Sequence, residues 1–515
     1  MISRTRNLSP LTLCALCATL FSSAAHAGVF PAGVTPQKLA SGIASPEGPA
    51  RDANDNVYFS DRNVSTIRIW TSGGTLVTWT NQTGGANGLW FHTNGMLYAA
   101  EQTVHRVATY APNTVMTPLV TSYNGASFNT PNDIWVAPDG GVYFSDPNWP
   151  WNGGPQAGSH VYYLAPGTNQ ATRLNSGAMQ PNGVIGTPDG KRLYVGDDQG
   201  RSTLFYRIQM DGTITDRKLL HRIRCDGMSL DDAGNVFICN WEGRRICVFN
   251  EDGVSNDAVA IPEQCWNATR FGANLEKLFV TAGTSIYSVA LVPRKVYREN
   301  ILGYEQPGAM IASALPSNNF GAADLLHVGS SALSGGTCRA VYSFLITNLP
   351  PGAIVTNAVL KLRAVAKAGS VASVQVHLLD TDFVEGIGSW SVPSSSGVTW
   401  LQSADGTPWT AGGAYDGTPL VTLSITGTVN ETPLYAGQAG IASAVQTAVD
   451  AGEPFSFILR STDAETAGGE NYILFGADNQ DYQTRRPMLV LDVVPEPAAA
   501  AVVALSALFF AARKR

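Results

Sequence analysis

Charge is scarce in this chain. Asp, Glu, Lys and Arg make up 14% of the 515 residues, with a balance of −7. No basic run occurs outside the two ends, so the electrostatic footprint of a nucleic-acid-binding protein is missing. Histidine numbers seven, with no metal-binding spacing among them. His92 and His105 fall in one repeat and read as surface or packing residues. No Gly-x-Ser-x-Gly occurs, which excludes the nucleophile elbow of the α/β-hydrolases. Cysteine is sparse as well. Cys14 and Cys17 precede residue 27, leaving Cys225, Cys239, Cys247, Cys265 and Cys338. Five is odd, so at least one thiol stays free or pairs between chains. Cys239 and Cys247 flank a short turn, where they face each other across a hairpin or serve as small core residues.

What is abundant is turn chemistry. The chain holds 52 Gly and 29 Pro, and few long helical stripes, which indicates an all-β protein. Its length exceeds what one core supports and predicts two or more domains.

The two ends read as sorting devices. Arg4 and Arg6, an apolar stretch over 11–21 and Ala25-His26-Ala27 form a secretory signal peptide, residues 1–27. Leu13 and Leu16 occupy the positions where a lipoprotein box needs a small residue. At the other end, Pro495-Glu496-Pro497 leads into an apolar run over 498–512 and closes on Arg513-Lys514-Arg515. That run is short for a full span, and its basic end obeys positive-inside logic.

Between these ends a pattern recurs. Copies begin at Glu47-Gly48-Pro49, Asn87-Gly88-Leu89, Asn132-Asp133-Ile134, Asn182-Gly183-Val184, Asp226-Gly227-Met228 and Asn267-Ala268-Thr269. The spacings are 40, 45, 50, 44 and 41 residues. In the first five copies a Gly, Asn or Asp turn follows, then an apolar strand such as Val57-Tyr58-Phe59 or Val142-Tyr143-Phe144, which is hairpin chemistry. Six such units predict a six-bladed β-propeller over residues 28–292. Residues 37–43 precede the first copy and close the ring by joining the last blade.

A propeller brings the same point of every inner strand to one channel mouth. Glu47, Asn87, Asn132, Asn182, Asp226 and Asn267 therefore converge. Six oxygen-bearing side chains suit a hard cation, Ca2+ or Mg2+, with two carboxylates to balance the charge. Single Asn-Gly and Asp-Gly pairs are turn formers; six in register, each ahead of a strand, point to a site instead.

The segments "SPEGPARDANDNVYFSD", "TPNDIWVAPDGGVYFSDP", "QPNGVIGTPDGKRLYVGDD", "CDGMSLDDAGNVFICNW" and "FVTAGTSIYSVAL" resemble the senescence-marker-protein/gluconolactonase/luciferin-regenerating-enzyme family over residues 34–292. The resemblance implies a calcium-dependent lactonase, with Mg2+, Mn2+ or Zn2+ as alternative cations. It implies Glu47, Asn182 and Asp226 as metal ligands and Asp226 as the general base. Asn132 would bind substrate or complete the metal shell, and Asn87 joins it from the same ring; Trp149 and Trp241 either wall the pocket or pack between blades. Thr130 stands where the animal sugar-acid lactonases carry Arg, which brings the chain closer to the bacterial branch and bears on which lactone it takes. The alternative is a non-catalytic, calcium-stabilised surface scaffold.

Residues 293–304 read as a charged linker. From 305 to 493 the composition shifts to Ala, Ser, Gly and Thr with alternating strands, which predicts an antiparallel β-sandwich of jelly-roll type. The segments "SNNFGAADLLHVGS", "RAVYSFLITNLPPGAIVTNAVLKLRA", "VTWLQSADGTPW" and "RRPMLVLDV" resemble a DNRLRE domain, related to carbohydrate-binding modules. Trp390, Trp400 and Trp409 are candidates to stack on a surface polysaccharide, or else to plug a core. Residues 494–515 resemble a PEP-CTERM signal, which implies a sorting protease and a bacterial cell-surface or matrix destination.

Overall fold

The computed structural model describes residues 28–149, 154–298, 308–323, 325–331, 336–347, 349, 352–387, 394–437, 439–476 and 486–494. The signal peptide, Trp390 and residues 495–515 lie outside these. The chain divides into two compact units, one built on Gly28–Gln306 and the other on Pro307–Leu345 and Asn357–Pro487.

The first unit is a six-bladed propeller of four-stranded antiparallel sheets. The innermost strands of blades 1 to 6 are Pro46–Arg51, Ala86–Phe91, Ile134–Val136, Pro181–Gly186, Met228–Leu230 and Cys265–Phe271. Each hairpin between first and second strands turns through a left-handed residue. Blade 1 uses Asp55, blades 2 to 5 use Gly95, Gly140, Gly190 and Gly234, and blade 6 uses Leu275. Glycine carries no Cβ penalty there, which is why four of the six positions hold it.

Both faces of a blade are covered by neighbours, so alternation along the strands gives way to nearly continuous apolar runs. Separate apolar clusters fill the seams. Phe128, Ile134 and Phe144 of blade 3 pack with Tyr98 and Val107 of blade 2; Phe237 and Ile246 of blade 5 pack with Leu278 and Tyr287 of blade 6. Val57 and Phe59 of blade 1 meet Phe279 of blade 6. As expected, the ring is closed by the N-terminal strand Gln37–Ser41, which pairs antiparallel with Ser285–Ala290 and becomes the outermost strand of blade 6.

Cys239 and Cys247 do not face each other. Cys239 pairs with Ile246 and Cys247 with Ile238, so a one-residue offset sends their side chains to opposite faces of the hairpin. Cys239 instead shares the seam between blades 5 and 6 with Cys265. The five cysteines among the described residues are all thiols.

The rest of the chain builds an antiparallel sheet region of eleven strands. Residues Arg294–Arg298, just after the last blade, form a strand paired with Met488–Val494. Two short helices, Ala439–Ala451 and Thr462–Ala467, interrupt the strands. Trp400 and Trp409 pack against a core holding Ile311, Val341 and Ile458. The Arg339 guanidinium lies 5.2 Å from the Trp400 ring centre, and the Trp409 indole N–H donates to the Thr399 carbonyl at 3.1 Å. Both rings thus serve packing. Among the described residues no helix is long and apolar enough to cross a membrane.

Candidate active site

The six predicted positions stand at the same end of their inner strands, in or just before them. Glu47, Asn87, Asn132, Asn182 and Asn267 are buried, and Asp226 is partly so. The residue after each explains the crowding. A Cβ on Gly48 would stand 2.1 Å from the Asn87 carbonyl oxygen, and one on Gly183 2.2 Å from that of Asp226. On Gly227 it would meet the Asn267 amide at 2.0 Å. Inner strands of adjacent blades nearly touch here, so glycine follows four of the six site residues for lack of space. Backbone bonds cross the same gaps: Gly88 N–H donates to the Asn132 carbonyl and Gly227 N–H to that of Trp266, both at 2.7 Å. The Ser60 hydroxyl reaches the Asn87 carbonyl at 2.7 Å.

Blade 3 carries Asp133 where glycine stands in four of the other blades. Its carboxylate accepts the Ile134 N–H and, across to blade 4, the Val184 N–H, each at 3.0 Å. Burial pushes Asp133 up to about 6 against those bonds and one from the Asn267 side chain. This residue is a site component that sequence reasoning passed over.

A second ring of acids sets the inner strands from behind. Asp61 accepts the Ser45 N–H at 2.9 Å, Glu101 the Gly84 N–H at 2.8 Å, and Asp146 the Asn129 and Thr130 N–H groups at 3.0 and 2.7 Å. Asp197 accepts from Met179 and Gln180, both at 2.9 Å. Each holds the loop that leads into the strand bearing Glu47, Asn87, Asn132 or Asn182. Their signal was legible: an acid recurs 14 or 15 residues after each of those four positions.

The electrostatics single out one part of the ring. Burial pushes the Glu47 carboxyl up to about 7, against the Arg62 guanidinium and the Gly48 N–H, with Asp133 adding to the rise. Asp226 is raised well above the usual carboxylate range, first by burial and then by the charges of Glu47, Asp198 and Asp133. Glu47 and Asp226 thus stand close enough to repel each other. Asn182 Oδ1 is buried with no hydrogen-bond partner. Among the described residues no cluster of three or more His, Cys, Asp or Glu side chains suits a metal; the donor set here is two carboxylates plus amides. An orphan amide oxygen beside mutually repelling carboxylates is what an oxygen-seeking divalent cation would satisfy.

Other expected residues fall around this set. Trp241 donates to Asp198 Oδ1 at 3.1 Å, while the Arg224 guanidinium lies 5.1 Å from its ring centre and 3.4 Å from Asp198. Thr130 turns inward: its hydroxyl donates to the Pro147 carbonyl and its N–H to Asp146. Trp149 is half-buried, two residues beyond Pro147.

Residues 45–284 match the SMP-30/Gluconolactonase/LRE-like region. The chain is 27% identical over 286 residues to a gluconolactonase of Zymomonas mobilis, a match covering 49% of this chain and 80% of that protein. A pentonolactonase of Haloferax volcanii is 27% identical over 117 residues, 21% of this chain and 40% of its own length. Among solved structures, a gluconolactonase from Xanthomonas campestris shares 26% identity with a TM-score of 0.47, covering 52% of this chain and 92% of that one.

Proposed function

We propose that the propeller is an exported, divalent-metal-dependent lactonase acting on a sugar-type lactone. The observation that carries this reading is the meeting of Glu47 and Asp226, each raised by burial, with the unpartnered Asn182 Oδ1 at one end of the channel. The names of the two relatives, a gluconolactonase and a pentonolactonase, support the substrate class.

In this reading Glu47, Asn182 and Asp226 hold calcium, and magnesium, manganese or zinc are the alternative occupants. A bound divalent cation supplies Lewis acidity toward a carbonyl oxygen and offsets the paired carboxylates. The chain's own residues do the rest. The Asp226 carboxylate takes a proton from water as that oxygen attacks the lactone carbonyl carbon. When the ring carbon–oxygen bond breaks, the same proton passes to the departing alkoxide, and the product is the open hydroxy acid. Asn132 offers an amide donor and acceptor to the sugar hydroxyls. Asn87, only 2% exposed, stands in the same ring as a further substrate contact. Trp149 and Trp241 shield its rim. Delivery outside the cell follows from residues 1–27, and surface sorting from 494–515.

The test is hydrolysis of a panel of sugar lactones by the mature protein, with and without calcium. Turnover that calcium supports and a chelator removes bears the reading out. Calcium binding with no turnover on any lactone makes the propeller a binding scaffold instead.

A further inference from the structure

The seam between blades 5 and 6 carries two thiols. Cys239, on the second strand of blade 5, and Cys265, the first residue of the inner strand of blade 6, are both fully buried in it. Gly227 joins their backbones. Its carbonyl accepts the Cys239 N–H at 3.0 Å, and its own N–H donates to the Trp266 carbonyl at 2.7 Å. Cys265 Sγ donates to the Arg245 carbonyl at 3.2 Å, and Arg245 pairs with Asn240, the neighbour of Cys239. The two thiols meet there, within hydrogen-bonding reach of each other.

The remaining cysteines are placed elsewhere. Cys225 packs in the seam between blades 4 and 5, where its Sγ donates to the Gly227 carbonyl at 3.8 Å. Cys247 leaves the hairpin on the opposite face from Cys239, and Cys338 belongs to the other compact unit.

Burial raises the Cys239 thiol well above its ordinary range, and Cys265 adds to the rise. Thiolate is the attacking form in disulfide exchange, so the finished ring protects the pair. The pair is open earlier, because Cys265 covers Cys239 only once blade 6 packs on blade 5. Blade 6 is in turn completed only when Gln37–Ser41 joins Ser285–Ala290.

We infer that Cys239 and Cys265 form a disulfide while the chain folds in an oxidising compartment, stitching blade 6 to blade 5. The oxidant is a disulfide-exchanging donor. One cysteine thiolate attacks the donor's S–S bond and displaces one of its thiols. The second thiolate attacks the mixed disulfide and displaces the other. One S–S bond forms and one breaks; both cysteine protons end on the donor, which leaves as two thiols. The export proposed from residues 1–27 supplies such a compartment. The inference does not rest on the lactonase reading, since it uses no step of that reaction.

Peptide mapping of the full chain exported to a bacterial periplasm tests it. The protein is alkylated in denaturant and cut with trypsin and an Asp-specific protease, which place Cys239 in residues 232–244 and Cys265 in residues 257–270. Mass spectrometry should find those two peptides joined, and separate after reduction, with Cys225, Cys247 and Cys338 alkylated. The two cysteines lie 26 positions apart, and closing a loop of that size should raise the melting temperature by about 5–10 °C over the dithiothreitol-treated protein. Cys265→Ala should melt at one temperature with or without dithiothreitol; if it fails to accumulate, Cys239→Ala takes its place. Alkylated Cys239 and Cys265 in the periplasmic protein, either one joined to a different cysteine, or a wild-type melting temperature unmoved by reduction overturns the proposal.

Discussion

The Asp133 carboxylate leaves blade 3 to accept the Val184 N–H of blade 4 at 3.0 Å. It replaces, with a side chain, the close approach that glycine permits in other blades. Asp133→Ala should strip the Val184 and Ile134 amides of their acceptor in a buried place. A loss of about 1–3 kcal/mol is expected, measured by chemical denaturation. An unchanged midpoint would mean that water replaces the carboxylate at no cost.

Asp226→Asn should abolish lactone hydrolysis while the fold persists. The change is nearly isosteric, so the channel packing survives. Loss of a general base alone costs about 10²–10⁴-fold in rate, and a weaker calcium site would deepen that. Circular dichroism and turnover in saturating calcium decide it: a wild-type rate sinks the proposed role.

Calcium withdrawal should lower the melting temperature, because an ion that binds only the folded state stabilises it by about 2.7 kcal/mol at a hundredfold excess over Kd. Asn182→Ala should weaken calcium binding by removing the orphan oxygen. Asn182→Asp should keep or tighten it through added charge, while disturbing the pocket. Calorimetric titration of both variants separates an oxygen ligand from a packing residue.

Gly183→Ala and Gly227→Ala should differ in severity. The first places a Cβ against the Asp226 backbone carbonyl, the second against the Asn267 side-chain amide, which can shift only by giving up its bonds to the Ala268 N–H and Asp133. Overpacking costs about 1–3 kcal/mol, and Gly183→Ala should sit at the high end. Thermal melts of the pair, run together, test the ordering.

Most of the ring was readable because a closed repeat converts sequence period into spatial register. Glu47, Asn87, Asn132, Asn182, Asp226 and Asn267 each recur at one point of the unit, and the unit has one channel. Asp133 was hidden by its context, since Asn-Asp before a strand looks like a turn or a paired motif. Only its reach to another blade shows what it does, and that reach is a distance no spacing encodes. The supporting acids Asp61, Glu101, Asp146 and Asp197 were periodic as well, yet an acid at a strand end reads first as solvent-facing. Burial is what distinguishes them. The cysteine offset turned on a single residue of register, which hairpin reading from turn residues does not fix.

Acid should loosen the ring at one place. Glu263 accepts the Lys38 ammonium at 3.1 Å, the Tyr287 hydroxyl at 2.6 Å and the Thr284 N–H at 2.9 Å. Burial alone would push its carboxyl up; the Ser285 and Tyr287 hydroxyls, the Thr284 N–H and Lys38 hold it down, to about 2. The folded value is lower than the ordinary 4.5, so the stabilisation is present above pH 4.5 and is lost as pH falls toward 2. Melting temperatures of the wild type and Glu263→Gln, followed from pH 5 to 2, should converge as the acid end is reached. Parallel curves would remove Glu263 from the account.

Because Gln37–Ser41 is the outermost strand of blade 6, the first strand of the mature chain to be synthesised has its partners among the last of the propeller to appear. Five blades exist before the sixth can be finished, and during that interval an unpaired edge stays open at each end of the arc. The earliest segment must wait through some 250 residues, roughly the separation of Ala40 and Ile286 in the register, for the contact that ends its exposure. A contact so distant in sequence makes closure slow and late. Truncations after blade 5 are therefore expected to behave as aggregation-prone arcs rather than as smaller propellers.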